Sequence, residues 1–350
     1  MKDRRIGIAM SGGVDSTACA LLLREHYDIQ GFFMRLAQPN FDSQKARVES
    51  IAARLGIPLQ VIDLRQAFEQ HVLDYFSASY FGGLTPNPCV ICNREIKFGL
   101  FLKTILDCGM THMATGHYAR LEKIGETYRL FKGIDPSKDQ SYFLSRLSQD
   151  QLAKIVFPLG GQTKESTYQF VEERGLTDFR GLESQDVCFL GDTTVGSFLE
   201  TRLTGPGEEG PILSTSGERL GTHHGLFRYT IGQRKGLGIA SDAPLYVTEL
   251  DVERNAVIVG GNDELFKQNI QVADFHWLAG APPEQTKEYT VRIRYSHKGS
   301  AARLVLKNGG GEIIFSEPQR AITPGQFAVV YDQDELLGSG IILAGGEAGK

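Results

Sequence analysis

Over the first third of the chain, short stretches of consecutive apolar residues alternate with longer ones whose apolar positions recur every three to four residues. The compact stretches Arg5 to Met10, Ile29 to Leu36, Leu59 to Leu64 and Thr111 to Gly116 read as strands buried on both faces. The amphipathic ones, Thr17 to Tyr27, Asp42 to Leu55, Gln66 to Phe81 and Arg94 to Asp107, predict helices that cover those faces. Such alternation specifies a doubly wound parallel sheet, whose ligands bind beyond the carboxyl ends of the strands. Tyr118 to Lys132 reads as a hairpin, and Gln149 to Val156 and Thr163 to Arg174 as further helices.

From about Gly196 the pattern changes to short alternating runs separated by glycine turns. Boundaries near 196 and 268 divide the chain into an α/β domain with a helical extension (1–195), a small central β-rich domain (196–267) and a C-terminal β domain (268–350). The last contains the runs Ile270 to Trp277, Tyr289 to Tyr295, Ala302 to Lys307, Glu312 to Phe315, Gln326 to Tyr331 and Leu336 to Ile342, enough for a small β-barrel or sandwich. The last residues, Gly345 to Lys350, read as a frayed end.

Composition narrows the class. At 350 residues with 41% hydrophobic positions the chain can bury more than one core. No run of about 18 apolar residues occurs, and the start MKDRRIGIAM has no secretory pattern, so a cytoplasmic protein without a membrane partner is expected. Five cysteines, an odd number, argue for reduced thiols. Cys19 and Cys108 fall in apolar helical runs and are assigned to packing; Cys89, Cys92 and Cys188 do not. The net charge of −5 disfavours nucleic acid only in sum. Between Lys287 and Lys307 the basic residues Lys287, Arg292, Arg294, Lys298, Arg303 and Lys307 face one acid, Glu288, and an alternating strand would place several on one face, as an RNA footprint or as a solvated edge.

The sharpest local signal is Ser11-Gly-Gly-Val-Asp-Ser16, directly after the first strand and before the first helix. Backbone N–H groups and a positive helix end then converge on one point, a cradle for an oligophosphate. No lysine follows the glycines, unlike in the kinase and GTPase loop. The loop resembles instead the pyrophosphate loop of enzymes that split ATP between its α and β phosphates; a capped glycine turn is the plain alternative. Thr85 to Phe98, TPNPCVICNREIKF, puts a proline-stiffened turn ahead of a helix beginning near Arg94. Cys92 would then sit at a helix N-terminus, with its thiol pKa lowered. Cys89 and Cys92 form a C-x-x-C pair open to zinc, redox, iron–sulfur or coincidental readings, with no second pair for a four-ligand zinc site. Cys188 stands apart, next to Phe189 and Leu190.

Seven blocks in order complete the picture: SGGVDS, TPNPCVICNREIKF, ATGHYAR (114–120), KDQSYFL (138–144), SQDVCFLG (184–191), TIGQRKGLGI (230–239) and TPGQFAVVY (323–331). Together they resemble the tRNA-specific 2-thiouridylase family within the PP-loop ATP pyrophosphatase superfamily, which makes 2-thiouridine at the tRNA wobble position. The resemblance implies an adenine nucleotide α-hydrolase-like sheet followed by two β domains. It implies that Ala9, Met10, Ser11, Gly12, Gly13, Val14, Asp15 and Ser16, with Met34 and Gly116, hold ATP and its Mg2+. Cys92 matches the nucleophile and Cys188 the persulfide carrier, able to alternate with a disulfide between them. Asn87, Pro88 and Cys89 match the segment beside the target base. His117, Lys138, Asp139, Gln140, Arg294, Tyr295 and Gln326 match tRNA-contacting positions, and a sulfur-donor protein is implied as a partner beside the tRNA anticodon stem-loop.

Two departures stand out. Cys89 occupies a position where well-known members carry Asp, which weakens a general-base role; Cys89, Cys92 and Cys188 could instead hold a [4Fe–4S] cluster. The span 36–42 is short where relatives often carry an acidic insertion. Tyr118, Tyr142 and Phe143 are candidate surfaces for an everted base, with core packing as the alternative, and Gly232 to Gly238 reads either as an RNA-backbone contact or as a tight turn. An ATP-dependent amidating ligase would leave two separated thiols unused, and a non-catalytic RNA-binding module would leave them unreactive.

Overall fold

The computed structural model describes residues 4–177, 179, 187–203, 207–307 and 309–345. The start of the SQDVCFLG block, 184–186, and the end of the expected frayed terminus, 346–350, lie outside the described residues.

Five parallel strands form the N-terminal sheet in the spatial order Leu59–Asp63, Asp28–Arg35, Arg5–Ala9, His112–Ala114, Ile155–Val156. The order reverses at the first strand, whose neighbours lead away in opposite directions, so a crevice opens beyond its carboxyl end. Val14–Arg24, Phe41–Leu55 and Lys164–Glu172 pack on one face, burying Ile6, Ile8, Ala18, Val48, Ile51 and Val171. The long helical stretches 65–81 and 88–107 occupy the other side. Each contains a π-helical section, Glu69–Leu73 and Cys92–Phe101. One expectation is corrected here. The run Gln149 to Val156 is not one helix: Gln149–Leu152 makes a single capped turn, and Ile155–Val156 joins the sheet as its fifth strand. The two apolar residues are too few to carry a period, so tertiary pairing decides their conformation.

In the central part, Gly210–Ser214, Arg219–His223, Tyr246–Asp251 and Ala256–Gly260 form a four-stranded sheet. Gly232, Gly236 and Gly238 adopt left-handed φ of 88°, 78° and 68°, and Gly232 N donates to Val247 O at 2.8 Å, so this run builds tight turns against the sheet. The C-terminal strands Phe266–Trp277, Gly310–Arg320, Ser300–Lys307, Tyr289–Arg292, Phe327–Asp332 and Glu335–Ile342 pair in that order, and the last pairs back on the first, closing a six-stranded barrel around Val291, Leu304, Ile313, Phe315, Ala328 and Val330. The strand expected from Tyr289 to Tyr295 ends at Arg292, because that side chain folds back to donate to the carbonyls of His297 and Tyr295 and closes a turn.

The hairpin Ala119–Ile124 and Thr127–Lys132 extends the barrel sheet instead of the parallel one: Leu130 and Phe131 pair with Leu336 and Glu335. Arg120 and Lys132 both reach Asp334, and Lys132 Nζ donates to Gln333 O at 2.9 Å. Arg146, almost wholly buried, ties the segment after the hairpin to the barrel through Asp274 and Ser339 O. Among the described residues no helix is long and apolar enough to cross a membrane.

Candidate active site

The loop Ser11–Ser16 lies at the reversal point of the sheet. Gly12 has φ +81°, a conformation that a side chain would strain, and Gly13 is the N-cap of helix Val14–Arg24. Ser11 N donates to Ser16 Oγ at 3.1 Å, and Ser16 Oγ donates in turn to Gly13 O at 3.1 Å, so the loop fixes its own curvature. Asp15, in the first helical turn, is held by a residue that the sequence did not single out. Lys164 Nζ lies 2.9 and 2.8 Å from its two carboxylate oxygens, and Tyr118 Oη donates to it at 2.8 Å. Lys164 is the first residue of Lys164–Glu172, whose N-terminus is closed by a reciprocal cap between Thr163 and Ser166. A cation therefore stands beside the cradle. The sequence signal for Lys164 is a capped helix start after Gly160-Gly161, which names no distant partner.

Gly116 shows how close the next strand end comes. A Cβ there would stand 2.7 Å from Asp15 Cβ and 3.0 Å from its carbonyl carbon, so only glycine lets the two segments touch. The next residue, His117, is buried against Phe98 and Phe157, with Nε2 3.4 Å from Lys97 Nζ and Nδ1 2.8 Å from Thr115 Oγ1. Burial first, and Lys97 second, push its pKa well below the ordinary imidazole value, so the ring is neutral.

Lys97 belongs to the helical stretch that carries the thiols. That stretch begins at Pro88, not near Arg94: Asn87 is the N-cap and accepts from Val90 N at 3.3 Å, while Pro88 occupies the first helical position. Cys92 therefore lies more than a turn inside, beyond the reach of the helix end. The expected lowering of its pKa is overturned. Burial pushes the Cys92 thiol up to about 12, Lys97 pulls the other way, and Cys188 and Cys89 push upward. Burial also raises Cys89, against the pull of Lys97. Cys188 goes up to about 11 by crowding first, then by Cys89, again opposed by Lys97. It is exposed at the surface, so solvent relieves part of that penalty.

The three thiols belong to one neighbourhood. Cys92 packs against a cluster that contains Leu36, Phe76, Ile96, Phe189 and Leu190, the last two adjacent to Cys188, and Met34 borders the same cluster from the second strand. All five cysteines are free thiols. Cys19 is buried behind the loop, as its helical position implied, whereas Cys108 is half-buried at a helix end. Among the described residues no three His, Cys, Asp or Glu side chains are arranged to hold a metal ion.

The expected RNA-contacting residues separate into two sets. Tyr295 is exposed and tilts over Phe143, ring centroids 4.3 Å apart, while Asn93, next to Cys92, donates to Phe143 O at 3.1 Å. Arg294, half-exposed, donates to the carbonyls of Arg320 and Ala321. Lys138 is half-buried at the turn. Others face inward. Asp139 pairs with Arg292 at 2.9 Å, and its other oxygen accepts from Gly133 N and Ser141 N. Gln140 accepts from Tyr118 N, and Tyr118 and Tyr142 are core residues. The basic stretch thus loses Arg292 from its surface. Gln326 donates to the carbonyls of Thr85 and Pro86 at 2.8 and 3.2 Å, and Thr85 N donates to Pro324 O, so a barrel turn clasps the segment ahead of Asn87.

A glycine cradle at the switch point of a parallel sheet, with two β domains behind it, defines a HUP-type protein, and residues 4–192 match the family model described as a tRNA methyl transferase HUP domain. Residues 196–261 match a tRNA methyl transferase PRC-barrel domain and 267–342 an aminomethyltransferase beta-barrel domain. The tRNA-specific 2-thiouridylase MnmA of Desulfotalea psychrophila is 54% identical over 338 residues, 96% of this chain and 98% of that protein. Those of Acidithiobacillus ferrooxidans and Syntrophotalea carbinolica are 42% and 43% identical, covering 98% and 97% of this chain and 99% of each relative. The chain belongs to the tRNA-specific 2-thiouridylase family.

Proposed function

We propose that this chain is a sulfurtransferase that replaces O2 of the wobble uridine of tRNA by sulfur at the expense of ATP. The supporting observation is a succession of neighbours: Asp15 against Gly116, His117 following it, Lys97 on His117, and the three thiols within the electrostatic reach of Lys97. It links an oligophosphate cradle to sulfur nucleophiles. Sulfur transfer uses both; methyl transfer, the word in the family-model descriptions, leaves the thiols without a task.

The chemistry follows from the weak leaving ability of a urea-like carbonyl oxygen. Uridine O2 attacks the α-phosphorus of ATP, the α–β bond breaks and pyrophosphate departs, leaving O2 as part of an adenylate. A sulfur anion then adds to C2, and AMP leaves with the oxygen. Ala9 to Ser16, Met34 and Gly116 hold ATP, with Lys164 near the phosphates and the Asp15 carboxylate suited to the accompanying Mg2+. Asn87, Pro88 and Cys89 face the target base. Cys188, the exposed thiol, receives sulfur as a persulfide from a donor protein, and Cys92 resolves it, releasing hydrosulfide or closing a disulfide after direct attack. Lys138, Arg294 and Tyr295 contact the anticodon stem-loop. His117, Asp139, Gln140 and Gln326 act from beneath, through Lys97, Arg292, Tyr118 and the Thr85–Pro86 carbonyls.

Nucleoside mass spectrometry of tRNA from cells lacking the chain tests this reading: 2-thiouridine disappears and returns on complementation. Unchanged 2-thiouridine refutes it. Iron-free protein is expected to be active, because transfer through a Cys188 persulfide requires no cluster; loss of activity without iron would favour a cluster held by Cys89, Cys92 and Cys188.

A further inference from the structure

We propose that Lys97, aligned with Cys92 by a π-helical turn and oriented by His117, is a shared positioning residue that holds the anionic sulfur passing between Cys188 and Cys92. The inference rests on the sulfur-transfer reading and names a residue for it.

The helical register carries the argument. In an α-helix a residue five positions on is rotated by about 140°, at roughly 100° per residue, onto the far side. Residues Cys92–Phe101 are π-helical, and the wider turn closes its hydrogen bonds between residues five apart. Lys97 is thereby brought back toward the face of Cys92. It meets His117 from the neighbouring strand end, and His117 is neutral, so its Nε2 accepts from Lys97 Nζ while Nδ1–H is directed to Thr115 Oγ1. The imidazole thus fixes the lysine without adding a competing charge. Phe98 and Phe157, themselves in contact, pack against the ring from neighbouring directions.

Three sulfurs share this one cation. Lys97 opposes the burial penalty at Cys89, Cys92 and Cys188 alike, and the other charges that bear on Cys92 come from Cys188 and Cys89 themselves. An anion formed on any of the three would repel a second one, and Lys97 offsets that repulsion wherever the charge resides. This arrangement suits a sulfur that changes carrier but not charge.

Site-resolved alkylation of the full chain by iodoacetamide tests the assignment, with peptide mass spectrometry reading each cysteine between pH 7 and 9. Lys97→Met is expected to slow alkylation of both Cys92 and Cys188 about tenfold at pH 8, the loss of thiolate that accompanies a pKa rise of about one unit. Lys97→Arg, which keeps the charge, recovers most of it. Cys19 and Cys108 keep their rates. A merely structural lysine would give the opposite sign, because a loosened site exposes thiols and speeds their alkylation. Unchanged or faster alkylation of Cys92, or an effect at Cys92 without one at Cys188, overturns the proposal. Should Lys97→Met melt below the assay temperature, His117→Asn decides: slower alkylation at both thiols supports the orienting role, and wild-type rates overturn it. The assay contains neither ATP nor tRNA, so its outcome is independent of whether cells lacking the chain lose 2-thiouridine.

Discussion

The glycine cradle follows the first strand, the thiols lie on the helical stretch from Pro88 and in the turn at Cys188, and the two are built by opposite means. The cradle is a local turn, closed within six residues by hydrogen bonds of the Ser16 hydroxyl to Ser11 N and Gly13 O. The cluster is made of side chains gathered from positions 89, 92, 97, 117 and 188, and its thiols are held protonated by their surroundings. Preorganised amides bind phosphate at no cost in reactivity. An ionised thiol, in contrast, would react with any electrophile, so burial keeps it in reserve. The contrast teaches that this site stores its binding in the chain path and its reactivity in the environment.

The sharpest way to separate the two halves is to remove a sulfur. Cys92→Ser or Cys188→Ser is expected to abolish 2-thiouridine formation while leaving ATP binding at wild-type affinity, as read by nucleoside mass spectrometry and calorimetry. Loss of ATP binding in either variant would join what the comparison separates. The converse is Gly116→Ala, whose new methyl would press on Asp15. At about 1–3 kcal/mol for such overpacking, ATP affinity falls roughly ten- to a hundredfold, while Cys92 alkylation is unchanged. Lys164→Met leaves Asp15, a third exposed, with Tyr118 alone among its described hydrogen-bond partners. A loss of about 1 kcal/mol, after allowance for solvent screening, is expected as a lower melting temperature. A smaller effect belongs to pH. The Cys92 thiol pKa is raised in the fold, so its neutral form stabilises the protein fully below about 9, and that contribution fades as pH rises toward about 12. Melting temperature should therefore decline less steeply above pH 9 in Cys92→Ser than in the wild type, and parallel curves would contradict it. The mildest change is at the rim: Arg294→Glu should weaken tRNA binding and reduce its salt slope by about one unit, with an unchanged slope placing the RNA elsewhere.

How far the sequence is legible follows the same division. SGGVDS could be read directly because its chemistry is local, and the parallel sheet because saturated strands and amphipathic helices differ in period. Ile155–Val156 could not, being two residues inside a helical-looking run that only the partner strand makes extended. Lys164 is invisible as a cradle residue because its partner, Asp15, is 149 positions away. Asp139 is matched to a tRNA contact by the resemblance alone, with a capped turn as the alternative for its block, and its burial against Arg292, 153 positions on, has no local signal. The prolines before Cys92 suggest a later helix beginning and hence a helix-end thiol; Asn87 and Pro88 start the helix earlier, and one extra turn changes a helix-end thiol into a core one. Each miss involves a long-range partner or a shift of one turn, which composition and spacing do not encode.

The hairpin that borders the barrel bears on the order of synthesis. Residues 127–132 leave the ribosome long before the strand that pairs with Leu130 and Phe131, Glu335–Ile342. Until that strand emerges, the nascent nucleotide-binding half presents an unpaired edge, and Arg129 and Lys132, whose acidic partners Glu335 and Asp334 are still to come, leave it positively charged. Charge on a waiting edge discourages neighbouring chains from adding a strand, so this hairpin guards the newborn polypeptide before it joins the finished barrel.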